Sequence, residues 1–347
     1  MEIQDDRVPV TLLTGFLGAG KTTLLNSLIS NPEAGRIAVI MNEFGDVGLD
    51  HDLVEDVSGD IVLMHAGCLC CSIRGDLAKT MILLLSRRKR GELIFDRLVI
   101  ETTGIADPAP ILNTLVTDDL IADNYRADGV VTLADAATGL STLQMHFEAV
   151  SQVATADLLV VTKSDLVSPD ECARFEARLG EINGSARLVR GDHGRVPLDK
   201  LFGLSAMHPK ATSDEIADWL GEQPVQVDHA HHRIESASIK VSEPIKASTF
   251  NFWLDTLLTF KGPDILRMKG IVHVVGKKHP FVFHGVQHIF DAPIPLTSWS
   301  SDDTTSRIVL IARDTEKSDL EASLEILRSH MVEADIHSDD ASVSVSA

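Results

Sequence analysis

Three of the chain's four cysteines stand within four positions, as Cys68, Cys70 and Cys71 of GCLCC, residues 67–71. Thiols this close admit four chemistries: a redox pair, a structural disulfide, a soft-metal site or inert buried sulfur. Thiolates are soft ligands suited to Zn²⁺ or Cu(I), and three of them with one carboxylate or water complete a tetrahedral site. Cys68 and Cys71 alone have the familiar two-residue gap, so all three need not bind one ion at once. A second constellation speaks to phosphate. GFLGAGKTT, residues 15–23, satisfies the P-loop pattern with Gly15, Gly20, Lys21 and Thr22. Glycines let the backbone curl so that successive N–H groups face phosphate oxygens, and the following helix adds the positive end of its dipole. The phosphate-binding set is therefore Gly15, Gly18, Ala19, Gly20, Lys21, Thr22 and Thr23. Lys21 is expected to reach the β and γ phosphates, and the Thr22 hydroxyl to bind Mg²⁺.

Later stretches complete such a site. LVIETTG offers Glu101 at a strand end, acting on Mg²⁺ through water, and Gly104, whose N–H can approach a γ-phosphate. VVTKSD supplies Thr162, Lys163 and Asp165. Asp165 can accept from the N1 and N2 hydrogens of guanine, a bidentate match adenine cannot make, so GTP is favoured over ATP. Thr162 stands where the usual guanine motif has Asn, which implies looser base selectivity, and Lys163 is expected along the base plane. MNEFGDVGLD places Asn42, Glu43, Asp46 and Asp50 in a loop whose Gly45 and Gly48 allow it to change conformation when a γ-phosphate arrives.

These residues must be held at one edge of a sheet. From Val8 to about Leu204, VPVTLLT, RIAVIMN, DIVLMHA, DRLVIET, GVVTLAD, ADLLVVTK and ARLVRG read as strands, separated by stretches such as LLNSLIS with helical spacing. Near-continuous Val, Ile and Leu fits strands buried on both faces. The expected fold is a doubly wound, mostly parallel α/β domain over 1–204, with a smaller α+β domain over 234–333. The second domain is read from SASIKVS, a helix over about 249–258, KGIVHVVG, PFVFHGVQHIF, RIVLIARD and a final helix over about 319–331. Residues 205–233 are read as a linker and 334–347 as a disordered acidic tail.

Composition narrows the classes. The 347-residue chain is 44% hydrophobic, enough for two cores, and carries a net charge of −20 that repels phosphate backbones and anionic membranes. Nucleic acid and membrane are thus not expected partners. The acidic start MEIQDDRVPV lacks a signal-peptide pattern, and the expected location is the cytoplasm. In a reducing compartment clustered cysteines favour metal or redox roles over disulfides, while Cys172 reads as an ordinary helix residue. His229, His231 and His232 read as a solvated linker cluster, His65 as a strand-end residue beside the cysteines, and His284 and His288 as structural.

GFLGAGKTT, NEFGDVG, GCLCC, ETTG followed by ADPAPI, TKSD and HGVQHIF occur in the order of the CobW-like family of P-loop GTPases. The chain resembles that family, and its YjiA-like members in particular, over roughly residues 8–313. The resemblance implies GTP hydrolysis coupled to handling a transition metal, commonly zinc, for delivery to a client protein. It implies metal ligands drawn from Cys68, Cys70 and Cys71 with help from Glu43 or Asp46, and catalysis by Lys21, Thr22, Asp46 and Glu101. A nucleotide-dependent homodimer is expected on the same ground. Some relatives carry Glu where Met41 stands, which weakens or moves a metal site here. Two other classes stay open: a GTP-regulated protein-binding module with a structural metal, and a small-molecule kinase, for which no acceptor motif is visible.

Overall fold

The computed structural model describes residues 5–42, 54–58, 61–66, 73–221, 234–287, 289–290, 292–297, 299 and 303–329. They fall into two compact units, one within Met1–Glu176 and Leu188–Leu204, the other within Ala177–Arg187 and Ser205–Ala347. None of their helices is long and apolar enough to cross a membrane.

The first unit is built on strands β1 (Val8–Gly15), β2 (Ile37–Asn42), β3 (Val54–Ser58), β4 (Ile61–Ala66), β5 (Arg97–Glu101), β6 (Tyr125–Asp135), β7 (Leu158–Thr162) and β8 (Arg187–Arg190). Their order in the sheet is β3-β4-β2-β5-β1-β6-β7-β8. From β4 through β7 neighbouring strands pair in parallel, and β3 pairs antiparallel with β4. The seven expected strands are all present, and β3 is an addition. Its sequence, VEDVS, is acidic and short, which suits an edge and hides it from a search for apolar runs.

Parallel strands require crossovers, and the first shows how the phosphate loop is fixed. The helix Lys21–Ile29 lays Leu24, Leu25 and Leu28 against Leu13, Val39, Val99, Val131 and Leu133 of the sheet. Each such leucine contributes about 1.5–3 kcal/mol of burial. The loop before the helix therefore hangs between two anchored elements, at the carboxyl edge of the sheet where β1 is flanked by β5 and β6. The chain leaves β1 toward β2 on one side and later returns to add β6 on the other, the switch point where doubly wound sheets bind ligands.

The second unit carries β9 (Ile234–Val241), β10 (Ile265–Val272), β11 (Phe281–Val286), β12 (Ile289–Phe290), β13 (Ile294–Pro295) and β14 (Ser306–Arg313). The order is β12-β11-β10-β14-β9, with β13 also on β11, and every pairing is antiparallel. Strand β10 is buried along its whole length because both faces of the sheet are covered. On one face Met268, Val272 and Phe283 meet Trp253 and Leu257 of helix Ala247–Lys261 and Leu320 and Leu324 of helix Lys317–Ser329. On the other, Ile271, Val282 and Leu296 meet Ile216, Trp219 and Leu220 of helix Ser213–Leu220. That helix lies within the stretch 205–233, and it opens with a capping box of Thr212 and Glu215. Lys269, fully buried, donates from Nζ to the Trp219 carbonyl at 3.0 Å, at the helix end where partial negative charge collects.

Candidate nucleotide site

Strand β1 ends on Gly15 at φ 141°, and a Cβ there would stand 2.5 Å from the Leu133 carbonyl oxygen of β6. A side chain is excluded twice over, by backbone conformation and by space. The chain then turns through Phe16 to Gly20, whose carbonyl accepts the Leu24 N–H as the helix begins. Lys21 is buried under this turn and donates from Nζ to the carbonyls of Gly15 at 2.7 Å and Phe16 at 3.3 Å. Desolvation lowers its pKa, and the nearby Glu101 charge opposes that shift. The ammonium is thus held inside the loop, close to its acidic counter-group.

Glu101 ends β5 and is buried, with Oε1 accepting from the Thr22 hydroxyl at 3.4 Å. A hydroxyl and a carboxylate set together at the phosphate loop are hard oxygen donors of the kind Mg²⁺ takes, so the two residues fit that ion. Beyond Glu101 the chain folds back on the loop. The Thr102 N–H donates to the Leu13 carbonyl at 2.9 Å, and its hydroxyl donates to that of Thr14 at 2.8 Å. Gly104 touches the loop itself, since a Cβ on it would come within 2.7 Å of the Leu17 backbone nitrogen. Thr22 and Glu101, 79 positions apart in sequence, are brought together, with Lys21 and Gly104 beside them.

The TKSD stretch adds the other flank. The Thr162 hydroxyl donates to the Ala19 carbonyl at 2.8 Å, so it grips the phosphate loop. Lys163 has φ 55° and donates from Nζ to Asp135 Oδ2 at 2.7 Å, at the end of β6. Asp165 is exposed and lies 4.0 Å from His193 Nε2. His193 also pairs with Asp192 through Nδ1 at 2.7 Å, and that hydrogen bond, with the charges of Asp192 and Asp165, raises its pKa above the ordinary histidine range. Its neighbour Gly194 approaches Thr23, where a Cβ would be 2.8 Å from the Thr23 carbonyl oxygen. Sequence reasoning missed Asp135, His193 and Gln152. The topology could have flagged the first two, because every loop leaving the carboxyl end of a parallel strand lies on this edge.

Glu43, Asp46, Asp50, Cys68, Cys70, Cys71, His229, His231, His232 and His288 lie outside the described residues. Among the described residues no three His, Cys, Asp or Glu side chains group to hold a metal. The backbone register nonetheless carries information up to their edge. Met41 of β2 pairs with Glu101 of β5 and with His65 of β4, and Asn42 pairs with Ala66. Cys172, in helix Pro169–Ile182, is buried, and burial pushes its thiol pKa up, as befits a core residue. His284, on β11, stacks edge-on to Trp219 at 6.4 Å.

Comparison with known proteins agrees with this geometry. Residues 9–190 match the CobW/HypB/UreG nucleotide-binding domain and residues 234–328 the cobalamin synthesis protein CobW C-terminal domain. The zinc chaperone YjiA of Escherichia coli K12 is 33% identical over 92% of this chain and 99% of its own length. The zinc-regulated GTPase metalloprotein activator 1 of Schizosaccharomyces pombe is 31% identical over 90% of this chain and 84% of its own. The crystal structure of Zn(II)-bound YjiA GTPase from E. coli superposes with a TM-score of 0.75 at 29% identity, covering 93% of this chain and 99% of that one. With a phosphate loop, a magnesium-type hydroxyl and carboxylate pair and both matching domains, the chain belongs to the CobW family of P-loop GTPases.

Proposed function

We propose that this GTPase is a metallochaperone: it binds zinc as cargo through GCLCC and couples the nucleotide state to transfer of that metal to a client protein. The observation that carries the reading is the register across β5, β2 and β4. Glu101, Met41 and His65 are level with one another, and the chain leaves Asn42 toward Glu43 and leaves Ala66 toward Gly67 and Cys68 one residue further on. Both the acidic segment and the cysteine segment therefore depart from the edge that carries the phosphate loop. The relatives named as zinc chaperones and as a zinc-regulated GTPase support zinc as the cargo.

In this reading GTP and water give GDP and phosphate, and the roles follow from chemistry. The Lys21 Nζ exchanges the Gly15 and Phe16 carbonyls for β and γ phosphate oxygens, placing its charge where negative charge builds in the transition state. Thr22 and Glu101 would hold Mg²⁺, whose charge would offset that of the phosphates. The Gly104 N–H meets the γ-phosphate, Asp165 reads guanine, and Asp46 assists catalysis in the loop that responds to that phosphate. Cys68, Cys70 and Cys71, with Glu43 or Asp46, hold zinc, and self-association accompanies the GTP state in the cytoplasm. A nucleotide that changes zinc affinity is itself bound differently when zinc is present, because the coupling is reciprocal.

The test is the Zn²⁺ dissociation constant of protein loaded with GDP and with a non-hydrolysable GTP analogue, using chelator competition. The reading expects a difference of about fivefold or more between the two states. Equal constants would remove the coupling, and retained client activation by Cys70→Ser would favour a binding module whose metal is only structural.

A further inference from the structure

Gln152 lies in helix Phe147–Thr155 and is 1% exposed, beneath the loop that follows β5. Its Nε2 donates to two carbonyls of that loop, Gly104 at 3.3 Å and Ala106 at 3.0 Å. Two carbonyl acceptors at one end of the side chain fix which end is the amide nitrogen, because an oxygen there would face two acceptors. The backbone beneath is anchored: the Gln152 carbonyl accepts from the Thr132 hydroxyl of β6 at 2.9 Å and from Thr155 at 3.2 Å. A rigid sheet thus holds a glutamine whose amide grips the loop.

The grip leaves polar atoms unsatisfied. Gln152 Oε1 is buried and has no hydrogen-bond partner among the described residues, and the same is true of Thr103 Oγ1 within the loop. Buried polar atoms without partners are costly, and two at one loop mark an arrangement that a different loop conformation would satisfy better. Glutamine can serve both states. Its NH₂ holds peptide carbonyls, and after a peptide flip its oxygen accepts a peptide N–H in the same place. Gly104 has the backbone freedom for such a flip while lying against Leu17 of the phosphate loop.

We propose that Gln152 is a positioning residue, a two-way latch on Thr103–Ala106 that sets how the loop presents Gly104 to the γ-phosphate, and so sets the rate of hydrolysis with little effect on GDP binding. This rests on the reading that Gly104 meets the γ-phosphate. GDP has no γ-phosphate, which is why its affinity separates a latch from general disruption.

In the full chain, Gln152→Glu replaces the donor with an acceptor-only carboxylate that repels both carbonyls, and protonation restores one donor. Burial raises the pKa of such a carboxyl. The expected result is a kcat about tenfold below the parent near pH 8, with the variant-to-parent ratio recovering toward about pH 6, and a GDP dissociation constant within about twofold of the parent. Gln152→Met, close in shape and without a donor, should show a similar deficit that does not vary with pH, and it carries the test if the glutamate variant does not fold. A parental kcat in both variants, a pH-independent ratio for Gln152→Glu, or a loss of GDP affinity in step with kcat overturns the latch. Gly104→Ala separates the premise: parental hydrolysis in that variant overturns the γ-phosphate placement and the latch with it, whereas lost hydrolysis there beside unaffected Gln152 variants overturns the latch alone.

Discussion

Thr162 shows what a single hydroxyl can do at a position where asparagine is usual. Its bond to the Ala19 carbonyl ties the end of β7, just before Asp165, to the phosphate loop. Removing that donor strands a carbonyl inside the site, a loss felt by any nucleotide regardless of base. Thr162→Val is therefore expected to weaken GTP and GDP alike by about tenfold, leave their ratio and the GTP-over-ATP preference unchanged, and be rescued by Thr162→Ser. Titration with fluorescent nucleotides measures all four quantities, and a selective loss of guanine preference would return Thr162 to the base. The residues that the sequence nominates are those whose chemistry is stated by type and spacing: Lys21, Thr22, Glu101, Gly104 and Asp165. Gln152 was illegible because it meets a backbone carbonyl 46 positions away. Distance of that kind leaves no local pattern.

Strands with an apolar run or apolar alternation announced themselves, even at the edges as in β8 and β9, and the most acidic and the shortest did not. Strands β1, β2, β5, β6 and β7 are near-continuous apolar runs, whereas β3 is acidic and β13 is two residues including a proline. Strand β10 is followed by His273, a polar group left in a covered position. Its backbone N–H donates to Ser306 Oγ at 2.9 Å, its ring lies 5.8 Å from that of Trp299, and its Nε2 is buried with no hydrogen-bond partner among the described residues. Burial lowers its pKa, Asp303 opposes this and Arg307 adds to it. The folded state therefore prefers the neutral ring more strongly than the unfolded chain does. Its contribution to stability is complete above the unfolded histidine value of about 6.5 and is lost as pH falls through the lower folded value. The expected outcome is that the thermal midpoint of the second unit drops on acidification below about pH 6.5, and that His273→Asn flattens this slope whatever it does to the midpoint itself. A slope of the same size in the variant would assign the acid sensitivity elsewhere.

At the scale of the whole chain, two cores are specified by two kinds of pattern. The parallel unit follows from strand and helix alternation, and its strand ends share one edge with the phosphate loop. The antiparallel unit is harder, because part of its core comes from a stretch with weak periodicity and many polar residues. The matched family domains end at 190 and resume at 234, yet Ala206, Met207, Ile216, Trp219 and Leu220 between them pack with Ile271, Val282 and Leu296. Composition alone cannot reveal this, since Ile216 and Trp219 gain meaning only when a sheet face is found to need cover. A fragment beginning at Ile234 loses the cover of that face and also the Trp219 carbonyl to which Lys269 donates, leaving apolar surface in contact with water. One beginning at Ser205 keeps both. With each large apolar side chain contributing about 1.5–3 kcal/mol, the loss of Ile216, Trp219 and Leu220 removes roughly 5 kcal/mol or more, comparable to the whole stability of a small domain. The fragment 205–347 should therefore unfold cooperatively in urea, and 234–347 should bind hydrophobic dye strongly and show no sharp transition. Equal cooperative unfolding of the two would mean that the helix Ser213–Leu220 decorates the sheet without holding it together.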